Sequence, residues 1–205
     1  MLPLLRTFGL VAVLSFLSAC TSVETVNPIG ISSGSSVDTR LIGAWRVTVE
    51  DKAAEKGDAY VFVLPDKQGG LQAMAIEIRK PTSTDDNGWQ TFKVLTGRAG
   101  DYTFLNLRGL LDDGATVVED RQPKDGGYWP IRYRVETDGS VHLFLWDSAD
   151  AIKDAIASGR LTGSVEGGTV HVTGDGSSVD AFFSEAGERA FPSPFATLVP
   201  LGSPQ

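Results

Sequence analysis

Few residues in this chain combine a reactive type with a spacing that chemistry could use. Cys20 is the single cysteine, and it directly follows the small residues Ser18 and Ala19. The two histidines, His142 and His171, each lie inside a predicted strand, and neither has the i, i+4 partner of a metal-binding helix. The lone cysteine with small residues directly before it is therefore the most informative feature of the chain.

Other motifs do not combine into a catalytic or metal site. Gly30-Ile31-Ser32-Ser33-Gly34 matches the G-x-S-x-G pattern of a serine nucleophile, but it precedes the first predicted strand and no helix signal follows it. The carboxylate pairs Asp85-Asp86, Asp112-Asp113 and Glu119-Asp120 lie in turn segments, and the first lacks the spacing of a calcium loop. One cysteine and two separated histidines make no zinc ligand set. We therefore expect no catalytic residue, no metal and no cofactor.

The segment that ends at Cys20 resembles the signal peptide of a bacterial lipoprotein. It has one positive side chain and an apolar run shorter than the roughly 17–25 residues that span a bilayer. Leu17-Ser18-Ala19-Cys20 then has the form of a lipobox. An ordinary secretory signal is the alternative, but an exported chain with an odd cysteine needs a reason for it. The resemblance implies a leader over 1–19 that is cleaved before Cys20, and a thioether-linked lipid on the Cys20 sulfur.

The anchor that this resemblance implies also gives a location. Thr21 rather than Asp follows the cysteine, which by resemblance to Gram-negative lipoproteins favours the outer membrane, with the domain on its periplasmic face. Two or three acyl chains give stable anchoring, since one chain alone binds only marginally. Residues 20–37 are rich in Ser, Gly, Thr and Asn without periodicity, so we expect the lipidated cysteine to lead into a flexible tether.

Composition excludes several kinds of partner. Removal of Arg6 with the leader leaves 17 of the 18 basic residues against 26 acidic ones, a net charge of −9. Nucleic-acid binding needs clustered Lys and Arg, so we expect no nucleic-acid partner. An anionic leaflet would repel this domain, so the lipid must hold it at the membrane. Residues 38–205 are long enough for one domain with its own core.

The folded domain is predicted to be mainly β. Short runs of strand-forming residues recur from Leu41 onwards and are separated by turn signals such as Asp138-Gly139 and Gly167-Gly168. The predicted strands are 41–50, 59–64, 71–80, 89–96, 102–107, 128–135, 141–146, 161–165, 169–173 and 196–201. Short amphipathic helices are predicted over 148–158 and from 178 to 187, packed on the sheet or across a barrel end. About 8–10 strands at this spacing favour an antiparallel barrel or sandwich, and we predict a single β-barrel over 38–205.

One predicted hairpin assigns side chains to faces. A three-residue loop over 137–139 places Gly139 in the left-handed position and gathers the apolar residues of both strands on one face. That face contains Trp129, Ile131, Tyr133, Val135, Val141, Leu143 and Leu145. Phe144 and Trp146 then point away from the core. We expect them to form a surface contact with a partner or to lie beneath a cover such as the helix that follows.

The predicted barrel resembles lipocalins. The resemblance rests on Gly43-Ala44-Trp45, a G-x-W at the start of the first strand. In lipocalins this tryptophan closes one end of the barrel beneath an arginine from the last strand, and Arg189 is the residue here that could take that place. The resemblance implies a small apolar ligand in the barrel. The residues expected to line either that ligand or the core are Trp45, Trp129 and Tyr133.

Three functions remain, and all of them act by binding rather than by catalysis. The first is a lipid-anchored envelope protein that binds another envelope protein through the surface at Phe144 and Trp146. The second is a lipocalin-like carrier of a small apolar ligand. The third is an inhibitor of a basic host enzyme such as lysozyme, which the charge of the mature chain suggests.

Overall fold

Strands dominate the structure, a computed structural model that describes residues 22–32, 34, 37–49, 57–79, 88–112, 115–116, 123, 127–146 and 149–202. Within these residues the strands are β1 (Ser22–Thr25), β2 (Gly43–Val49), β3 (Gly57–Pro65), β4 (Leu71–Arg79), β5 (Gly88–Ala99), β6 (Tyr102–Asp112), β7 (Ala115–Thr116), β8 (Trp129–Val135), β9 (Val141–Leu145), β10 (Gly163–Glu166), β11 (Thr169–Val172) and β12 (Ser193–Pro200). The α-helices there are α1 (Asp150–Ala157) and α2 (Gly176–Ala190), and a 3-10 turn spans Thr39–Leu41.

Eight of the strands close into an antiparallel barrel. Neighbouring strands follow the order β2-β3-β4-β5-β6-β8-β9-β12, and β12 pairs again with β2, so the ring has no free edge. The predicted mainly β fold with a single antiparallel barrel is confirmed. Strands β1, β11 and β10 form a separate three-stranded sheet, so the predicted strands near 161 and 169 lie outside the barrel.

The hairpin of β8 and β9 has the register that the alternation of apolar residues predicts. Val135 lies opposite Val141, and Tyr133 lies opposite Leu143. Gly139 has a φ of +83°, and the Glu136 amide donates to the Ser140 carbonyl over 2.8 Å. The three-residue loop is therefore confirmed, and with it the predicted inner face of both strands.

The barrel is closed at the end where hairpins join β3 to β4, β5 to β6 and β8 to β9. Here the 3-10 turn lies beside Trp45, whose indole N–H donates to the Leu41 carbonyl over 2.9 Å. The Tyr133 hydroxyl donates to Asp38 over 2.8 Å, and both aromatic side chains are buried. We call this the closed end, and the opposite end, where β8 begins and β9 ends, the far end. Arg189 does not cover Trp45 as predicted, because its side chain is 71% exposed and faces Glu185.

The predicted tether over 20–37 requires a correction, because much of it belongs to the folded domain. β1 pairs in parallel with β11, and the side chains of Val23 and Ile29 are fully buried. The Arg98 amide of β5 donates to the Gly30 carbonyl over 2.9 Å. Burial of these apolar side chains and pairing of the backbone hold the segment on the outer wall of the barrel. Cys20, the predicted lipidation site, lies outside the described residues.

Helix α2 covers the outer wall of the barrel at β5 and β6. Asp175 caps its first turn, because its carboxylate accepts hydrogen bonds from the amides of Ser177 and Ser178. Aspartate is among the preferred residues at this position because its side-chain oxygen can accept such bonds. An aromatic cluster then fills the space between the helix and the wall. It consists of Phe104, Phe182, Phe183, Phe191 and Trp146. The apolar stripe that predicted the helix is therefore a packing surface, as expected.

Candidate functional site

The interior of the barrel contains a cavity of about 130 Å³. Every strand of the ring contributes to its wall, together with Leu41 from the 3-10 turn. The large apolar side chains that the strands contribute are Val47, Val61, Val63, Leu71, Ile76, Phe92, Val94, Leu105, Leu107, Ile131, Leu143, Leu145, Phe195 and Leu198. Because so few polar atoms reach this wall, the cavity favours an apolar occupant over water.

Alanine at inward positions creates the space. Ala59 on β3, Ala73 and Ala75 on β4 and Ala196 on β12 all line the cavity. Period-2 alternation requires an inward side chain at each of these positions, and a methyl group leaves most of the available volume empty. Protein interiors are otherwise packed to about 0.75 of their volume, so four small residues around one space are a departure from ordinary core packing. The cavity therefore follows from the sequence of three strands.

The polar groups of the lining include Glu77 and Gln90, on the neighbouring strands β4 and β5. Register places them near the far end, since Glu77 lies opposite Gly88 at the start of β5. Glu77 is 93% buried, with 7% of its surface exposed. Glu77 therefore gives the far end of the cavity wall a buried polar group.

None of the three predicted residues forms the wall of the cavity, but two of them line the core. Trp45 and Tyr133 belong to the buried core of the closed end, and Trp129 is half-buried at the first position of β8. The wall is mostly aliphatic, and its aromatic members are Tyr60, Phe92 and Phe195. The predicted inner face of the β8–β9 hairpin supplied part of this wall, but sequence reasoning gave more weight to large aromatics. The signal that was present is the inward alternation of alanines along β4.

The predicted surface contact at Phe144 and Trp146 is wrong, because both side chains are buried. They point out of the barrel as the register requires, but the Arg132 guanidinium stacks 3.8 Å from the centroid of the Phe144 ring. Trp146 packs edge-on against Phe191, with the ring centroids 6.0 Å apart. The cover thus belongs to the same chain, and its aromatic part comes from the segment that ends α2 rather than from a partner.

The cation over Phe144 is itself buried. Arg132 donates to the Phe191 carbonyl over 3.2 Å and faces Glu188 at 4.0 Å. Burial lowers the pKa of the Arg132 guanidinium, while the charge of Glu188 opposes that shift. Stacking on aromatic faces suits a guanidinium, so this contact fastens the end of α2 to β8.

Electrostatics at the closed end centres on Asp38. Burial alone would raise the pKa of this carboxyl, but hydrogen bonds from Arg40 and Tyr133 outweigh it, and the pKa lies below its usual value. Burial and the neighbouring carboxylate raise the pKa of the Tyr133 hydroxyl. Tyr133 is therefore a neutral donor, and its hydrogen bond to Asp38 holds the 3-10 turn against β8.

A second polar cluster lies on the small sheet. His171 on β11 faces Glu24 on β1, with 3.1 Å between Nδ1 and Oε2, beside a pocket of about 40 Å³. Ser164 lies opposite His171 in the register, but its hydroxyl donates to Glu166 over 3.1 Å. Because the serine points its hydroxyl elsewhere, the arrangement does not form a nucleophile–base pair. The His171–Glu24 contact ties β1 to β11.

The serine of the G-x-S-x-G motif also has a structural role. Ser32 donates from both its amide and its hydroxyl to Asp180 of α2, and Gly30 donates to the same carboxylate. Because the carboxylate accepts three bonds from this turn, Asp180 holds the N-terminal segment against the helix.

Comparison with known proteins gives no relative. No protein-family model matches the chain, and no curated protein or solved structure matches it either. Among the described residues, no three His, Cys, Asp or Glu side chains are grouped so as to hold a metal ion. In that same part of the chain, no helix has the length and apolar character needed to cross a membrane.

Proposed function

We propose that this protein binds a small apolar molecule inside its barrel. The observation that carries the proposal is the cavity of about 130 Å³ with its almost wholly apolar wall. An engineered apolar cavity of about 150 Å³ binds benzene, whereas pockets for drug-sized ligands are about 300–1,000 Å³. The occupant is therefore either a small molecule or one narrow part of a larger one, such as a single hydrocarbon chain.

The proposal includes the anchor. We infer that Cys20 carries the lipid and that the protein acts in the cell envelope, at the periplasmic face of an outer membrane. Support comes from the lipobox form of residues 17–20 and from the resemblance of the preceding leader to lipoprotein signals. Cys20→Ser should leave the domain folded and release it into the soluble fraction. Membrane fractionation of that variant would contradict the anchor.

Binding of an envelope protein is the second candidate, at a different surface from the one predicted. The outer wall formed by β3 and β4 exposes four large apolar side chains: Phe62, Leu64, Met74 and Ile78. Phe62 and Met74 lie directly opposite each other, so at least this pair forms a contiguous apolar surface. The acidic charge of the chain is the support for the inhibitor hypothesis, and no feature of the described residues adds to it.

A pair of matched variants tests the ligand proposal. Ala75 points into the cavity, and Met74, its neighbour on β4, points outward and is 37% exposed. Ala75→Phe should fill the space and abolish binding of an apolar naphthalene fluorophore. Met74→Phe adds an aromatic ring to the same strand without entering the cavity, so this control should bind as the wild type does.

The readout is fluorescence titration of residues 21–205, with circular dichroism to show that each variant is folded. Native mass spectrometry of the same material, purified from a bacterial periplasm, should reveal a small retained molecule in the wild type and in Met74→Phe. If the wild-type domain neither retains a molecule nor binds the fluorophore, the ligand proposal fails and the outer wall of β3 and β4 becomes the leading site. If Ala75→Phe binds as well as the wild type, the ligand does not occupy the cavity.

A further inference from the structure

The N-terminal segment leaves almost no free chain between the proposed anchor and the folded domain. β1 begins at Ser22, so Thr21 is the single residue between it and Cys20. Two residues of extended chain span at most about 7 Å. A flexible tether over 20–37 would instead have an r.m.s. length of about 23 Å and could extend much further. The domain is thus attached close to its lipid.

The attachment is firm because the segment is packed along its length. Val23 and Ile29 are fully buried, and the Asn106 side chain of β6 both accepts from the Ile29 amide and donates to the Ile29 carbonyl. A Cβ placed on Gly97 would lie 2.1 Å from the Ile29 carbonyl oxygen, which shows how closely the two backbones approach. Release of the segment would expose these apolar side chains and leave the Asn106 amide without its partners.

Packing of β1 also places the anchor near the end of the barrel that holds Glu77 and Gln90. Thr25 and Tyr128 exchange two backbone hydrogen bonds of 2.9 and 2.8 Å, and Tyr128 immediately precedes β8 at the far end. From Cys20 to Thr25 the chain can span at most about 17 Å. A lipid on the Cys20 sulfur would therefore lie within that distance of the far end, whatever path residues 20–24 take.

We propose that the lipid on Cys20 holds the far end of the barrel at the membrane surface, and that the cavity takes an acyl chain of a lipid from that same membrane. This rests on the proposed function, both for the lipid on Cys20 and for a ligand in the cavity. A hydrocarbon chain that crosses water loses stabilisation with each CH₂ that becomes exposed. A barrel held at the surface lets the chain pass from one apolar environment to another without that exposure.

The test changes the length of the attachment and leaves the domain unchanged. The full chain is expressed with its leader, purified in detergent and placed in phosphatidylglycerol–phosphatidylethanolamine vesicles. These vesicles contain a phosphatidylglycerol that carries a diazirine at the end of one acyl chain. In one variant a Gly/Ser insert of about 15 residues separates Thr21 from Ser22, a length set by the dimensions of such linkers. The matched control carries the same insert after Gly69, in the exposed turn between β3 and β4 at the closed end.

After irradiation, mass spectrometry should find crosslinked lipid on the cavity-lining peptides of β3 and β4 in the wild type and in the Gly69 insertion. Lengthening the attachment from about 2 to about 17 residues should reduce this crosslinking on the order of 20-fold, because effective concentration falls with about the −3/2 power of length. Crosslinking in the Ala75→Phe variant should be lost. Equal crosslinking in the two insertion variants would overturn the proposal.

A second readout separates failure of this proposal from failure of the proposed function. A fluorophore on Glu166→Cys lies in the same row of the small sheet as Ser22, whereas one on Thr137→Cys lies at the closed end. Quenching lipids in the bilayer should affect the label at position 166 more than the label at position 137. Equal quenching of both overturns the orientation even if lipid is bound. If the label at position 166 is quenched more but no lipid is crosslinked, the orientation stands and acyl-chain capture is overturned. If the protein is released from the vesicles, both the anchor and the orientation are overturned.

Discussion

Asn106 should contribute more to stability than a single polar side chain usually does. Its side chain is completely buried on the outer face of β6. There it pairs with the backbone of Ile29, a residue outside any strand, as a neighbouring strand would. The Ile29 amide donates to Oδ1 over 2.7 Å, and Nδ2 donates to the carbonyls of Ile29 and Leu95 over 3.0 and 3.3 Å. Replacement by leucine keeps the approximate size of the side chain and removes all three bonds.

The expected loss comes from the groups left behind. In Asn106→Leu the amide and the carbonyl of Ile29 lose their partner, and Ile29 is fully buried. Each unsatisfied buried group costs about 1–3 kcal/mol, so the free energy of unfolding should fall by about 2–6 kcal/mol. Entry of a water molecule would bring the loss toward the lower limit. Whole domains are stable by only about 5–15 kcal/mol, so the lower limit is easily measured.

Urea denaturation of residues 21–205, followed by tryptophan fluorescence, gives the free energy directly. Hydrogen exchange adds a local readout, because the Ile29 amide should be protected in the wild type and exchange rapidly in the variant. Thr103→Val serves as a control on the same strand, since it removes one part-buried bond to the Tyr133 carbonyl at a distance from the segment. A loss below about 1 kcal/mol for Asn106→Leu, the value of one ordinary hydrogen bond, would refute the role of Asn106 in holding Ile29 against β6.

Two further predictions concern the covering helix and the closed end. Gly187→Ala places a Cβ 2.0 Å from the Tyr102 ring at a residue whose φ is +33°, so we expect a loss of at least about 1–3 kcal/mol from overpacking, measured as a lower urea midpoint. For Tyr133→Phe, the loss of the bond to Asp38 should cost about 0.5–1.5 kcal/mol at neutral pH. The folded-state pKa of Asp38 is depressed, so its contribution is complete above the unfolded value of about 4 and is lost as the pH falls through the folded value. Tyr133→Phe should move that loss to higher pH, and an acid titration of the unfolding midpoint that overlays the wild type would contradict the role of this bond.

The barrel strands could be predicted from the sequence because their signals are local. The hairpin of β8 and β9 needed only the alternation of seven apolar residues and the position of Gly139 to fix its register. The same register correctly turned Phe144 and Trp146 outward. Their burial could not follow from it, because Phe191, which packs on Trp146, lies 45 residues further along the chain.

The N-terminal segment shows why composition misled the prediction. Serine, glycine and asparagine are typical of linkers, and Val23 and Ile29 are too far apart to create a periodic pattern. What orders the segment is distant in sequence: Ile29 is bound by a side chain 77 residues away, and Ser22 by one 147 residues away. Asn106 itself looks in the sequence like a polar residue on the exposed face of a strand. A buried asparagine at that position becomes meaningful only when the chain it binds is known.

The alanines of the barrel interior support the view that the cavity is kept for a ligand and not left over from folding. Small side chains that leave space in a protein core cost stability, because the lining loses packing contacts. One larger side chain at Ala73 or Ala75 would recover some of that stability. Sites that depart from the best packing are where function is expected to oppose stability. On this reasoning Ala75→Phe should lose the ligand without losing the fold, and a wild-type protein with its apolar ligand bound should be more stable than the same protein stripped of it.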